Sequence, residues 1–197
     1  MSVLILVLVI GLGAFWLIGA YNSLISLKNQ VANAWKPSDV QLKRRHDLVP
    51  NLSETVKGAM QFERDTLDAV ITARNQAIAV ERGSASVGQT AQVEAQLSSA
   101  LSRLMVVVEA YPDLKATGNV AQLQEELTST ENKISFARQL YNDTATQYNT
   151  TQAQFPTKLV AGMASAAPVD LWEIADASER AVPKVDLSMK SAKRSRV

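Results

Sequence analysis

The sequence predicts an all-α protein, with an N-terminal transmembrane helix followed by an up-down antiparallel bundle of long helices. Three observations carry this. The stretch Ser2 to Ala20, SVLILVLVIGLGAFWLIGA, holds no charged residue, and about 19 residues at 1.5 Å rise each nearly span a hydrocarbon core of ~30 Å. Beyond it, apolar residues recur at three- and four-residue spacing along most of the chain, the signature of amphipathic helices. Eight glycines and six prolines in 197 residues are too few for the frequent turns of a sandwich or barrel. A chain of this length makes one folded domain. The division expected is an anchor over 1–22, a helical bundle over 23–156 and a partly flexible tail over 157–197.

The anchor has no basic residue ahead of Leu4 and ends in WLIGAYN, without the charged start and small-x-small cleavage site of a signal peptide. Trp16 and Tyr21 fall where an aromatic belt lies. The first charges beyond are Lys28, Lys36, Lys43, Arg44 and Arg45, and positive flanks of this kind place the N-terminus outside and the bundle in the cytoplasm. Gly11, Gly13 and Gly19 offer small surfaces where neighbouring helices could approach.

The first helix is expected to leave the bilayer as an amphipathic arm carrying Leu24, Leu27, Val31 and Trp35, with a kink at Pro37. Leu42 and Arg45 extend its face. The run DLVPNL over Asp47 to Leu52 predicts a turn, with Asp47 as cap and Pro50 in the first turn of a second helix. That helix carries Leu52, Val56, Ala59, Glu63, Val70, Arg74 and Ala77 and ends near Val80, before a loop in ERGSASVGQ. A third carries Val93, Leu97, Leu101, Leu104, Val108 and Tyr111; the spacing around its MVVV run predicts helix, not strand. The fourth runs from Val120 through Leu123, Leu127, Glu131, Ile134, Arg138, Tyr141 and Ala145 to Tyr148, and Pro156 stops it. Short connections between such helices imply antiparallel neighbours.

Arg45, Glu63, Arg74, Glu131 and Arg138 lie on or beside these apolar stripes. An unpaired charge there costs several kcal/mol, so they are expected to pair in a structural polar layer that fixes register, with Tyr141 beside them. Tyr141 and Tyr148, like Asn142 and Asn149, are seven residues apart and repeat along a helical face. Such layers could also bind a partner helix. The arm stripe of Leu24, Leu27 and Val31 is expected at subunit contacts, unless the chain's own bundle covers it.

The residues for catalysis are sparse. Cysteine is absent and His46 is the one histidine, which excludes thiolate zinc sites, cysteine nucleophiles and multi-histidine metal centres. There is no G-x-S-x-G, and GSASVG lacks the lysine of a phosphate-binding loop. Glu125 with Glu126 and Asp65 with Asp68 read as solvated helix surface. No enzyme activity, cofactor or metal is expected. Twenty basic against nineteen acidic residues give no basic face for nucleic acid. The expected partners are membrane lipid, further copies of the chain and other membrane proteins. Lys190, Lys193, Arg194 and Arg196 give the tail a basic end that could rest on anionic lipid.

An ordered set of motifs adds to this reading. YNSLISLKNQVANAW spans Tyr21 to Trp35, QLKRRHDLVPNLSETVKG spans Gln41 to Gly58, and FERDTLDAVITAR spans Phe62 to Arg74. AYPDLKA follows at Ala110 to Ala116, LQEELTSTENKISFARQLYND at Leu123 to Asp143, and YN then FP between Tyr148 and Pro156. Together they resemble the LemA family over nearly the whole chain to about Gly162. The resemblance implies a bacterial membrane-anchored helical protein, hence the inner membrane, and implies no reaction or catalytic residues. His46 and Pro37 depart from the family pattern, and the stretch from Ala164 lacks the aromatic-rich ending expected of it. Three functions compete on this basis. The leading one is a self-assembling or scaffolding membrane protein; the second is a membrane-tethered sensor or adaptor acting on a protease, transporter or signalling protein; the third, a cryptic enzyme, needs His46 or a carboxylate pair in a closed pocket.

Overall fold

The computed structural model describes residues 1–57, 63–83, 85–112 and 118–173. Among them every regular element is helical: α1 (Ser2–Lys57), α2 (Arg64–Arg82), α3 (Val87–Glu109), α4 (Gly118–Ala153) and the short α5 (Lys158–Ala161). The basic tail beyond Glu173 and the Ala59 position lie outside the described residues.

The expected turn at Asp47 to Leu52 is not there. α1 runs unbroken through Pro37 and Pro50 for 56 residues, about 84 Å at 1.5 Å per residue. A proline inside a helix deletes the bond from its missing N–H to the carbonyl four residues back. For Pro50 that carbonyl belongs to His46, and Arg74 Nε of α2 donates to it at 2.6 Å. The orphaned acceptor is thereby satisfied from outside the helix. The surrounding Leu48, Val49, Leu52 and Val56 are buried in the core, which rewards continuing the helix past the proline.

α2 opens at Glu63 and closes at Gly83, whose N–H returns to the carbonyls of Ala79 and Val80. α3 then starts on a capping box: Gln89 N–H donates to Ser86 Oγ, and the Ser86 N–H donates to Gln89 Oε1 at 3.1 Å. The MVVV segment is helix, as its flanking spacing predicts, and Leu97, Leu101, Leu104 and Val108 face inward.

The helices pack α1 on α4, α2 on α3, and α1 on α2. α1 and α4 run antiparallel. Arg45 meets Glu131, and ten residues along each helix Trp35 meets Tyr141, ring centroids 5.3 Å apart and edge-on. Two core regions result. One joins the end of α1 to α2, α3 and the start of α4. The other joins Leu27, Val31 and Leu42 of α1 to Ile134, Tyr141, Ala145 and Tyr148 of α4, with Trp172 of the C-terminal stretch.

Leu27 and Val31 lie in this second core and Leu24 is 1% exposed, so the chain's own elements cover the arm's apolar stripe, the exception allowed to the expectation of subunit contacts at these residues. In contrast, the large apolar side chains from Val3 to Ile18 are exposed. This part of α1 is long and apolar enough to cross a membrane, and none of its apolar window is buried.

A buried charge network beneath a clamped C-terminal segment: the candidate functional site

The only guanidinium that α1 sends into the core is that of Arg45, and α3 and α4 supply its counter-charges. It is 1% exposed. Its Nη2 pairs with Glu94 Oε2 of α3, and Nη1 donates to Glu131 Oε1 of α4 and, at 2.7 Å, to Ser98 Oγ of α3. Glu94, 3% exposed, spends its other oxygen on His46, whose Nε2 lies at 2.8 Å. A carboxylate only accepts, so Nε2–H donates and Nδ1 faces Glu81 at 3.5 Å. Burial pushes the Glu94 carboxyl up, but the His46 hydrogen bond and the Arg45 charge outweigh it and hold the group below its ordinary value. Three helices are thus tied at one level by ions that only their mutual pairing keeps tolerable.

The residues named from sequence divide accordingly. Arg45 and Glu131 meet directly. Arg74 is joined to the network through the His46 backbone, not through a carboxylate. Glu63 stands apart at the start of α2, where it accepts from the Tyr111 hydroxyl at 2.8 Å; this carboxylate raises the tyrosine's pKa. Arg138 is half-buried on the rim of a cavity of about 80 Å³ shared with Glu131 and Glu173. Tyr141 faces Trp35 and the C-terminal segment. Two members went unread. Glu94 continues the α3 stripe of Leu97, Leu101, Leu104 and Val108 one turn upstream, a spacing that marks it as inward-facing. His46 precedes the turn expected at Asp47 to Leu52, and the continuity of α1 carries it into the core.

Beside this network the chain doubles back. After α5, Ser165 takes a left-handed conformation, φ 47°; its N–H reaches the Gly162 carbonyl at 3.2 Å, and that of Ala166 reaches the Ala161 carbonyl at 2.9 Å. This pair of bonds is a Schellman closure, and it redirects the chain along α4 in extended form. Two asparagines then hold it. Asn149 Nδ2 donates to the Val169 carbonyl at 2.8 Å while its Oδ1 accepts the Val169 N–H at 2.9 Å. Asn142 brackets Trp172 in the same way, at 3.0 and 2.8 Å. Between them the Tyr141 hydroxyl donates to the Asp170 carbonyl at 2.8 Å.

The spacing explains the match. Seven helical residues advance about 10.5 Å, and three extended residues advance about 10 Å, so two turns of α4 meet every third residue of the segment. Trp172 enters the core against Trp35, ring centroids 5.3 Å apart. Burial and the Asp170 carboxylate raise the Tyr141 pKa, and burial raises that of Tyr148. Of the tail over 157–197, expected to be partly flexible, the stretch as far as Trp172 is docked. Asn142, Asn149 and Tyr141 grip the chain's own backbone, and the segment docks through them and one tryptophan without an aromatic-rich ending. Where the segment passes α1 and α3 it borders a cleft of about 540 Å³, lined by Trp35, Tyr141, Val169, Lys28, Asp39 and Glu94 among others.

The LemA family profile matches residues 34–187, which takes in α2, α3, α4, the charge network and the clamped segment. The chain belongs to the LemA family. It is similar to Protein LemA of Metamycoplasma hominis, 28% identical over 187 residues that cover 94% of this chain and 81% of that protein. The family match begins just before Trp35, so it leaves out the uncovered apolar end of α1, whereas the relative's match extends over most of the chain. The family thus coincides with the part of the molecule organised around Arg45 and Asn142.

Proposed function

We propose that this LemA-family chain is a single-pass protein of the bacterial inner membrane that holds a non-catalytic, up-down helical bundle in the cytoplasm as a platform for self-assembly or for other membrane proteins. One observation carries the reading. α1 passes without a break from an apolar stretch that nothing covers into the deepest part of the core. Bare apolar surface of this length needs a hydrocarbon solvent. Because the helix is continuous, the bundle is held rigidly at the bilayer surface, as a platform requires.

The orientation rests on Lys28 and Lys36, basic residues close to the end of the apolar run. Arg45 adds nothing to it, since its charge is neutralised inside the bundle. The non-catalytic role is supported by the way Arg45, His46, Glu94 and Glu131 bond one another. Self-association would involve the span, because the Leu24 stripe is covered by its own chain.

A reporter fused after Val197 and protease added outside intact cells test the topology. An active cytoplasmic reporter and a protected bundle are expected; cleavage of the bundle from outside would overturn the reading. The mass of the full chain in lipid nanodiscs tests assembly, with more than one copy per particle expected at dilute loading.

The cleft beside Glu94 favours the second reading, a sensor or adaptor. Its floor carries a carboxylate, its wall includes the docked segment, and a ligand entering there would bear on both. A ligand-dependent rise in the protein's melting temperature, abolished by Trp35→Ala, would put that reading first.

A further inference from the structure

We infer that the bundle touches the bilayer a second time, through the corner formed by Phe155, Leu159 and Met163 around α5; this rests on the reading that α1 crosses the membrane. The register of α1 and α4 sets the level of this corner. Trp35 stands beside Tyr141, and a further fourteen residues in each direction bring α1 to Tyr21 and the other chain segment to Phe155. Tyr21 is where the uncovered apolar stretch ends. α5 packs against both α1 and α4, so it closes the end of the bundle that faces the membrane.

α5 and its flanks are apolar on two sides. Val160 and Ala164 are buried in the bundle, whereas Phe155, Leu159 and Met163 are 81%, 66% and 74% exposed. Lys158, also exposed, sits among them. Protein accounts for the first side, and no described residue accounts for the second. An apolar cluster with a lysine at its edge fits the headgroup and acyl boundary, where the ammonium can stay with lipid phosphates while the side chains enter hydrocarbon. The occupant is the bilayer because the span leaves the membrane at this same level.

The chain has no cysteine, so single labelling sites can be introduced cleanly. Leu159→Cys and Met163→Cys carry an environment-sensitive fluorophore, with Leu8→Cys in the span and Phe136→Cys on the exposed outer face of α4 as references. The full chain is reconstituted in vesicles of phosphatidylcholine and phosphatidylglycerol, with either a shallow nitroxide lipid or aqueous iodide as quencher. Labels at 159 and 163 should be quenched by the nitroxide lipid and shielded several-fold from iodide, while the label at 136 behaves oppositely. If 159 and 163 follow 136, or are shielded from both quenchers by protein, the second contact is refuted while a lipid-buried Leu8 label keeps the span. A Leu8 label open to iodide overturns the span and this inference together.

Discussion

Arg74 makes the hydrogen bond that Pro50 cannot. Pro50 leaves the His46 carbonyl without its helical donor, and Arg74 Nε reaches that carbonyl from α2 at 2.6 Å. The same contact keeps α1 continuous and pins α2 against it. Arg74→Ala should therefore cost about 1–3 kcal/mol, the range for a buried acceptor left unsatisfied. In a Pro50→Ala background the restored N–H can take over, and the cost of losing Arg74 should shrink by about 1 kcal/mol or more. Denaturant melts of the four proteins in this cycle check it; identical costs in both backgrounds would show that the two residues are not coupled.

Arg45 and Arg44 are neighbours with opposite fates. Arg45→Ala leaves the Glu94 carboxylate buried without its counter-ion and should destabilise by about 3–5 kcal/mol. Arg44 pairs with Glu126 at 3.4 Å where both side chains are more than a third exposed, so Arg44→Ala should cost no more than about 1 kcal/mol. Glu131→Ala should fall between them, its carboxylate being partly hydrated. Equal losses at 44 and 45 in chemical melts would contradict the burial of the network.

Acid should attack the bundle through Glu94. Its folded-state pKa lies below the ordinary value of 4.5, so the folded protein holds fewer protons there than the unfolded chain. The stability it contributes is complete above that ordinary value and is lost as the pH falls through the depressed one. Urea melts between pH 7 and pH 3 should show this decline, and Glu94→Gln should flatten it while lowering stability at neutral pH. Tyr141 and Tyr148 have the opposite sign. Their raised values give a contribution that is full below the ordinary pKa of 10 and lost as the pH rises through the folded-state values.

The asparagine clamp predicts that side-chain shape alone is not enough. Asn149→Asp keeps an acceptor for the Val169 N–H but loses the donor to the Val169 carbonyl and sets an oxygen against it. It should release the segment about as effectively as Asn149→Ala, each costing about 1–3 kcal/mol. Faster proteolysis between residues 166 and 172, together with a change in Trp172 fluorescence, reads the release. A clamp that withstands Asn149→Asp would mean that Trp172 alone anchors the segment.

How much of this was legible in the sequence depends on the range of the interactions. The apolar run over Ser2 to Ala20 and the three-four stripes of α3 and α4 are local patterns; each residue's contribution is set by its neighbours within a turn or two, so the sequence by itself determined the uncovered apolar helix and the inward faces of Leu97 to Val108 and Ile134 to Tyr148. Glu94 obeyed the same spacing and was within reach of that reasoning. The continuity of α1 past Pro50 was not. A proline in a helix is costly in isolation, and only α2, folding back to bring Arg74 to the His46 carbonyl, makes an unbroken α1 tolerable. The tertiary structure likewise decided the partner of Arg45, 49 residues away at Glu94, the packing of Leu27 and Val31 with Ile134, Tyr141 and Tyr148 of α4, and the capture of Val169 and Trp172 by Asn149 and Asn142. In each case the free energy of a polar group or an apolar stripe is fixed by what packs against it, and that neighbour comes from a distant part of the chain.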